Sequence, residues 1–241
     1  MRQSNSILYK FVLLCFVLGF SLFSTAASAG PLSGLTVICD LDYTLLDHDS
    51  LEEAARSQRR SWLHQFVRNV FVPPKAVSGM VEVLKLLESK GATIQFVSAR
   101  KHSQYDFLRK TLDALNFPNA KLQLAEYIPH GGELMYKYEY ISFMIKSNPR
   151  QKYFLIGDNQ DRDPKIFDRL VSEPGTKEKI AGIFIRKVRR SDPNRPRRTD
   201  LFSDGFHLAQ ILTQVGFISD TDLERILPNG TSQSCQSLFV N

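Results

Sequence analysis

The sequence predicts an α/β fold with a doubly wound parallel sheet and at most a small helical cap. Short apolar runs alternate with amphipathic segments along most of the chain, which is typical of parallel strands connected by helices on both faces of a sheet. Several apolar runs end in acids or hydroxyl residues, and such sheets bind ligands at the carboxyl ends of their strands. The length of 241 residues and the hydrophobic content of 43% fit one domain with a substantial core.

The alternation of strands and helices begins with the apolar run 35–39. The segment 80–89 has its apolar residues on one helical face, and Gly91 stands where a helix stop is expected. Pro73 and Pro74 end an earlier helical segment, because proline cannot continue a helix. The expected elements are, in chain order, strand 35–39, helices 51–70 and 80–89, strand 93–97, helix 103–115, strand 122–125, helix 133–145, strand 153–156, helix 166–171, strand 181–185 and helices 206–215 and 220–226.

The N-terminus has the pattern of a secretory signal peptide. Arg2 and Lys10 precede an apolar run, and small residues end in Ala27-Ser28-Ala29, an A-x-A-like cleavage site. We therefore expect a cut after Ala29 and an exported protein, periplasmic or secreted. An uncleaved membrane anchor over residues 11–29 is the alternative, although its apolar run is short for a membrane span.

The net charge and the cysteine content exclude few classes of protein. The formal net charge is +6, and loss of residues 1–29 removes two positive charges and no acid, which leaves +4. A mildly basic protein suits a phosphate-bearing partner, but a solvated basic surface explains the charge equally well. We expect no nucleic acid partner. We also expect no disulfide, since Cys39 lies in an apolar strand and Cys235 in a polar tail.

Two acids follow the first predicted strand. Asp40 and Asp42, with Thr44 two residues later, make a D-x-D-x-T pattern directly after the apolar run. One carboxylate can attack phosphorus to form an aspartyl-phosphate, and a second can protonate the leaving oxygen and later deprotonate water. Alone, the pattern fits a turn or a helix cap as well. Its place directly after an apolar strand favours the chemical interpretation.

Polar residues also follow two later strands. Ser98 can offer its hydroxyl to a phosphate oxygen, although most serines at such a place simply start the next helix. In Gly157-Asp158, the glycine lets the backbone approach closely and the acid can supply a hard oxygen ligand to Mg²⁺. Asp163 either supports the same metal site or caps the helix that Pro164 begins. The cation that a phosphoryl site needs has three candidates before the fourth strand, Lys137, Lys146 and Lys152.

Together these motifs resemble the haloacid dehalogenase superfamily. Three strand-end motifs stand in its order with a lysine before the last, and Asp158 and Asp163 match its G-D-x-x-x-x-D spacing. The chain is more closely similar to the catalytic domain of actin-patch-associated phosphatidate phosphatases and their bacterial relatives, over about residues 35–190. The similar segments are 78–82, 97–99, 137–167 and 183–186.

The resemblance implies a role for each site residue. Asp40 is the expected nucleophile and Asp42 the acid/base. In the family a lysine precedes the G-D segment by about three helical turns, which assigns Lys137 rather than Lys146. Two residues depart from the family pattern, since Tyr43 replaces a third acid and Lys101 stands where proline is common. The expected phosphate-binding residues are Ser98 and Lys137, and the expected Mg²⁺ ligands are Asp40, Asp42, Asp158 and Asp163.

The resulting functional hypothesis is a Mg²⁺-dependent phosphomonoester hydrolase acting on phosphatidate or another lipid phosphate. Residues 30–241 would form a single phosphatase domain, with a helical extension over 200–228 and a small helical cover over 47–72. The basic loop 186–198 would attract anionic lipid at a membrane surface. An acid phosphatase for soluble nucleotides or sugar phosphates is one alternative, and a non-catalytic lipid- or protein-binding module on a phosphatase scaffold is another.

Overall fold

A six-stranded parallel sheet organises the fold. The computed structural model of the protein describes residues 30–47, 74–126, 132–160, 162–188 and 200–228. The strands of the sheet are β1 Leu35–Cys39, β4 Thr93–Lys101, β5 Lys121–Ala125, β6 Lys152–Asp158, β7 Ile180–Arg186 and β8 Asp200–Phe202. A separate antiparallel pair consists of β2 Leu46–Asp47 and β3 Lys75–Ala76.

The order of the strands confirms the doubly wound topology. Across the sheet it is β5-β4-β1-β6-β7-β8, and each neighbouring pair is parallel. The chain therefore starts near the middle of the sheet at β1, moves outward through β4 and β5, and then returns to continue on the other side of β1. Such a reversal leaves a crevice beyond the carboxyl ends of the two central strands, and ligands bind there in sheets of this kind.

Six helices cover the two faces of the sheet in the described part of the chain. The buried residues of β1 alternate between the faces, since Val37 and Cys39 join one core cluster and Ile38 the other. Each face is therefore apolar, as a parallel sheet covered on both sides requires. The helices are α1 Met80–Ser89, α2 Tyr105–Ala114, α3 Gly132–Ser147, α4 Asp163–Ser172, α5 Gly205–Gln214 and α6 Asp220–Ile226. Helices α1, α2 and α5 pack in the first cluster, and α3 and α4 in the second.

Strand β4 and the short strands β2, β3 and β8 differ from the sequence-based expectation. Strand β4 runs on to Lys101, so Ser98 lies inside the strand rather than after it. The charged end of β4 still pairs with β5, beyond an irregularity in the register. The segment 200–228 begins with strand β8, which adds to the sheet beside β7, so it is more than a helical extension. Strands of two or three residues, such as β2, β3 and β8, are too short to show a period-two pattern in the sequence.

Several expectations concern residues outside the described ranges. They are the signal peptide at 1–29, the helix at 51–70, all but Asp47 of the cover over 47–72, the basic loop from 189 onward, and Cys235. Within the described ranges, none of the helices combines the length and the apolar character needed to cross a membrane.

Candidate active site

Polar side chains from three strands meet at the crevice beside β1. Asp40 is the first residue after β1, and its backbone N–H donates to the carbonyl of Ile156 on neighbouring β6 over 2.9 Å. Asp158 is the last residue of β6, and Ser98 lies in the final part of β4, on the other side of β1. All three side chains are buried, although each is polar. Buried polar groups at a topological switch point indicate a functional site.

Three buried carboxylates form the centre of this site. Asp40, Asp158 and Asp163 each offer an oxygen, and these oxygens lie within 4.8 Å of one another. Asp163 belongs to the first turn of α4 rather than to a strand. Like charges so close together in a buried place repel one another strongly, so the arrangement requires a cation to be stable.

Lys137 supplies part of that positive charge. Its Nζ lies 2.6 Å from Asp40 Oδ1 and 2.8 Å from Asp163 Oδ1, and its side chain is buried. Burial lowers the pKa of Lys137, but the charges of Asp163 and Asp40 outweigh that effect and raise it well above the ordinary lysine value. The side chain therefore stays cationic at neutral pH. Lys137 lies in the second turn of α3.

The other two lysine candidates lie away from the carboxylates. Lys146 forms an ion pair with Glu173, and its side chain is about half exposed. Lys152 begins β6, at the opposite end of that strand from Asp158, and donates to the carbonyl of Glu178. Of the three candidates, only Lys137 is brought to the acidic cluster.

One carboxylate oxygen of the cluster has no hydrogen-bond partner among the described residues. Asp40 Oδ2 is buried and unsatisfied, whereas Oδ1 of the same residue contacts Lys137. Burial raises the pKa of Asp40 well above its usual value, the nearby charges of Asp163, Asp158 and Asp42 raise it further, and Lys137 opposes them. A buried polar atom without a partner calls for an ion or a water. An all-oxygen donor set with an unsatisfied carboxylate oxygen fits a hard divalent cation such as Mg²⁺.

Asp158 is held in a defined orientation by its neighbours. Thr44 Oγ1 donates a hydrogen bond to Asp158 Oδ2 over 3.1 Å, and the backbone N–H of Gln160 donates to Oδ1 over 2.7 Å. Thr44 is the last member of the D-x-D-x-T pattern, and its hydroxyl therefore links the loop after β1 to the end of β6. Such outer contacts orient a metal-binding carboxylate.

Asp163 reaches the cluster because residue 157 is a glycine. A Cβ added at Gly157 would lie 2.4 Å from Asp163 Oδ2 and 2.7 Å from its Cβ. The helix-capping alternative for Asp163 does not match the geometry, because Arg162 occupies the N-cap position of α4 and the Asp163 carboxylate bonds Lys137. The two ends of the G-D-x-x-x-x-D motif are thus packed directly against each other.

We predict that Gly157→Ala displaces the Asp163 carboxylate. If a divalent cation such as Mg²⁺ binds at the cluster, its dissociation constant, measured by calorimetry, should rise about tenfold or more, as expected when a residue that supports a metal ligand is changed. Gly182→Ala in β7 is the matched control, because its Cβ would meet the ring of Phe184 at 2.8 Å but no residue of the cluster. An unchanged affinity for the cation in Gly157→Ala would contradict this role of the glycine.

Asp42 lies beside the cluster and is held by an arginine. Arg100 Nε donates to Asp42 Oδ2 over 2.7 Å, and Arg100 Nη2 donates to Oδ1 over 2.6 Å. Burial lowers the pKa of Arg100, but the bonds to Asp42 and the charges of Asp42 and Asp40 outweigh that effect and raise it. The sequence analysis did not single out Arg100, because 58 residues separate it from Asp42 along the chain.

Arg186, which the sequence analysis placed at the start of the basic loop 186–198, instead ends β7 and supports the loop after β1. Arg186, at the end of β7, donates to the carbonyl of Tyr43 over 2.6 Å and to the carbonyl of Ser203 over 3.0 Å. Tyr43 has a φ of 57°, in the left-handed region that costs a non-glycine residue energy. Arg186 therefore helps to hold Tyr43, and with it Asp42, in a conformation that the chain alone would avoid.

A strand-end carboxylate beside a buried lysine suits one class of enzyme in particular, the phosphatases of the haloacid dehalogenase type. The family model described as "Phosphatidate phosphatase APP1, catalytic domain" matches residues 35–187, well over half of the chain. The protein belongs to this family and is a phosphatase whose substrate is a phosphate ester. No curated protein matches the chain.

Solved structures similar to the chain include several phosphatases and related enzymes. A class C acid phosphatase from Bacillus anthracis with tungstate bound is 19% identical, with 93% of this chain and 90% of that chain covered and a TM-score of 0.46. A haloacid dehalogenase-like hydrolase from Burkholderia xenovorans is 12% identical, with 78% and 100% covered and a TM-score of 0.47. A phosphoserine phosphatase from T. onnurineus is 14% identical, with 77% and 98% covered and a TM-score of 0.40.

Proposed function

We propose that the protein is an exported, Mg²⁺-dependent phosphomonoester hydrolase that works through an aspartyl-phosphate on Asp40, with phosphatidate or another lipid phosphate as its substrate. The observation that carries the proposal is the environment of Asp40. One of its oxygens contacts Lys137, and the other is buried and unsatisfied beside two more carboxylates. A carboxylate in this setting has a cation for the phosphoryl group on one side and a set of metal ligands on the other.

Asp40, Asp158 and Asp163 are the residues that would hold Mg²⁺, together with the backbone carbonyl of Asp42. When bound, the ion supplies positive charge that offsets the three carboxylates and polarises a phosphate oxygen. Mg²⁺ prefers oxygen ligands, and it usually binds through one or two carboxylates plus substrate oxygens and water. The cluster offers three carboxylates, two of which, those of Asp40 and Asp163, also pair with Lys137.

The chain's own residues then perform the transfer. The Asp40 carboxylate attacks phosphorus in line, the ester oxygen departs, and an aspartyl-phosphate remains on Asp40. Lys137 and Ser98 bind the phosphoryl oxygens, on which negative charge develops. Asp42 gives a proton to the departing alkoxide and later takes one from the water that hydrolyses the aspartyl-phosphate. Hydrolysis releases inorganic phosphate, and the two steps together return Asp40 to a free carboxylate and Asp42 to its protonated form.

Two features support a lipid phosphate as the substrate. The family to which the protein belongs is described by its action on phosphatidate. Exposed cations also stand at the carboxyl ends of three strands of the sheet that holds the site: Lys101 ends β4, Arg162 follows β6 and Lys187 follows β7. Basic residues on one edge attract the negative surface of a membrane that contains anionic lipid.

The substrate is tested by phosphate release from phosphatidate in phosphatidylcholine vesicles and from glycerol 3-phosphate, each with Mg²⁺ or with EDTA. The two substrates share the same phosphate ester and differ in the acyl chains. We expect release from the vesicles, loss of release with EDTA, and a much lower rate on glycerol 3-phosphate. Equal or faster hydrolysis of glycerol 3-phosphate would replace the lipid with a soluble substrate. Release from neither would favour a binding module.

Export rests on the N-terminal sequence alone. The pattern before Ala29 supports cleavage there, so the protein recovered outside the cytoplasm should begin at Gly30. Determining the N-terminal sequence of that protein tests the proposal. A chain that keeps residues 1–29 and stays in the membrane fraction would favour an anchor instead.

A further inference from the structure

The pairing of Arg100 with Asp42 has a consequence for catalysis. The two hydrogen bonds, 2.7 Å and 2.6 Å long, use both oxygens of the carboxylate and two nitrogens of the planar guanidinium. This fork arrangement is the geometry in which arginine binds carboxylates most tightly. Both oxygens of the group proposed to serve the leaving oxygen are therefore hydrogen-bonded to Arg100.

Arg100 contacts two residues of the expected site, since its guanidinium pairs with Asp42 and its backbone N–H bonds Ser98. Arg100 follows Ser98 by two residues at the end of β4, and its backbone N–H donates to Ser98 Oγ over 3.2 Å. The side chain of Arg100 is 27% exposed and that of Asp42 is 18% exposed, so an incoming ligand can reach the pair. A guanidinium binds a phosphate with the same two-pronged geometry as a carboxylate, because both present two oxygens in a plane.

We propose that Arg100 is a substrate-operated latch on Asp42. When a phosphate group binds beside Ser98, the guanidinium transfers its two hydrogen bonds from the Asp42 carboxylate to oxygens of that phosphate. Asp42 then leaves the pair and turns to the leaving oxygen. The latch rests on the proposed function in one respect, since it takes Asp42 as the acid/base.

The latch explains why an arginine stands at this place rather than a neutral residue. If Arg100 stayed paired with Asp42, both Asp42 oxygens would remain hydrogen-bonded throughout the reaction. Without Arg100, fewer contacts would orient Asp42 before the substrate arrives. The exchange needs little net energy, because two charge-assisted hydrogen bonds are given up and two are formed. It also links the two halves of the reaction, since the phosphate that Asp40 attacks is the same group that opens the latch.

A double-mutant cycle on phosphate binding tests the latch without any need for turnover. The dissociation constant of inorganic phosphate is measured by calorimetry, with Mg²⁺ present, for the wild type, Arg100→Gln, Asp42→Asn and the double variant. If Asp42 and phosphate compete for Arg100, Asp42→Asn should tighten phosphate binding about tenfold when Arg100 is present. In the Arg100→Gln background the same change should tighten it about threefold or less, which is the general effect of removing a negative charge.

Lys101→Gln is the matched control, because it removes the same charge one residue further along β4 from an exposed side chain. In that background Asp42→Asn should keep its full tenfold effect. Arg100→Lys keeps the charge but not the fork, so the effect of Asp42→Asn should be intermediate. Arg100→Lys also replaces Arg100→Gln in the double-mutant cycle if Arg100→Gln does not fold.

Two outcomes would overturn the latch. The first is equal tightening by Asp42→Asn with and without Arg100, and the second is no measurable binding of phosphate to the wild type. The proposed function is judged separately, by phosphate release from phosphatidate. A protein that shows the coupling but releases no phosphate keeps the exchange of Arg100 between Asp42 and phosphate and loses the proposed function. A protein that releases phosphate without the coupling keeps the proposed function and loses the latch.

Discussion

Asp40→Asn is expected to lower the rate of phosphate release by at least about a thousandfold. An amide is a poor nucleophile toward phosphorus, and the substitution also removes a ligand from the acidic cluster. Side chains that act together in one chemical step commonly show losses of this size or larger. The measurement is phosphate release at saturating Mg²⁺ and substrate. Asp168→Asn, at an exposed acid on α4, is the control and should retain the wild-type rate within about twofold.

The same substitution should leave the fold intact, which separates chemistry from folding. Burial and the neighbouring acids raise the pKa of Asp40 above its unfolded value. This group therefore favours the folded state only at acid pH, and its contribution is lost as the pH rises through the folded pKa. At neutral pH and without Mg²⁺, Asp40→Asn should not lower the Tm. Normal turnover in this variant would exclude Asp40 as the nucleophile.

The sheet and most of its elements were predictable from the sequence because each leaves a periodic signal. The apolar run of β1 and the amphipathic pattern of α1 have the same bounds in the structure as in the prediction. Helix α6 also agrees, since Ser219 and Asp222 form a capping box at its start. Strand β8 was missed, because three residues cannot show alternation and the segment before it is polar.

The sequence predicted which acids belong to the cluster, but it did not predict the contacts that they make with one another and with their neighbours. Asp158 and Asp163 stand at a spacing that places one at a strand end and the other in the next helical turn, and the structure brings them together with Asp40. The sequence left Asp163 open between a metal ligand and a helix cap. The missing side chain at Gly157 makes room for the Asp163 carboxylate in the cluster, and Arg162 takes the N-cap position of α4, so the helix-cap alternative does not hold. That contact depends on how α4 packs against β6, which no local pattern encodes.

The arginines show why part of the site could not be predicted at all. Arg100 bonds Asp42 across 58 residues of sequence, and Arg186 bonds the carbonyl of Tyr43 across 143. An arginine after a strand has no distinctive spacing, since exposed cations are common at strand ends. Only the strand order, which puts β4 next to β1, brings Arg100 within reach of Asp42. Long-range side-chain pairs of this kind follow from topology rather than from motif spacing.

Lys137→Ala is expected to lower phosphate release by about a hundredfold to a thousandfold. The ammonium group lies between Asp40 and Asp163 and contacts both carboxylates. Its loss removes a phosphate-binding group and leaves the carboxylates without a fixed positive charge. Removing one partner of a buried ion pair also costs about 3–5 kcal/mol of stability, because the remaining charges stay buried. Both phosphate release and the Tm should therefore fall.

Lys146→Ala is the matched comparison, since it removes the same side chain from the same helix. Lys146 pairs with Glu173 near the surface, and exposed pairs contribute about 1 kcal/mol or less. Its rate should stay within about twofold of the wild type. Lys137→Met, which keeps most of the apolar stem, serves as the folded variant if Lys137→Ala does not express. Equal losses of activity in Lys146→Ala and Lys137→Met would refute the assignment of Lys137.

The raised pKa of Lys137 provides a second test of its role, through the pH dependence of stability and activity. Its folded pKa is raised above the unfolded value, so its contribution to stability is fully present below the unfolded pKa and is lost only as the pH rises through the folded one. The difference in Tm between the wild type and Lys137→Met should therefore stay constant across the neutral range. For the same reason, deprotonation of a lysine should not limit the activity of the wild type at mildly alkaline pH. A fall in activity there that Lys137→Arg abolishes would show that the lysine titrates, which the buried contacts with Asp40 and Asp163 argue against.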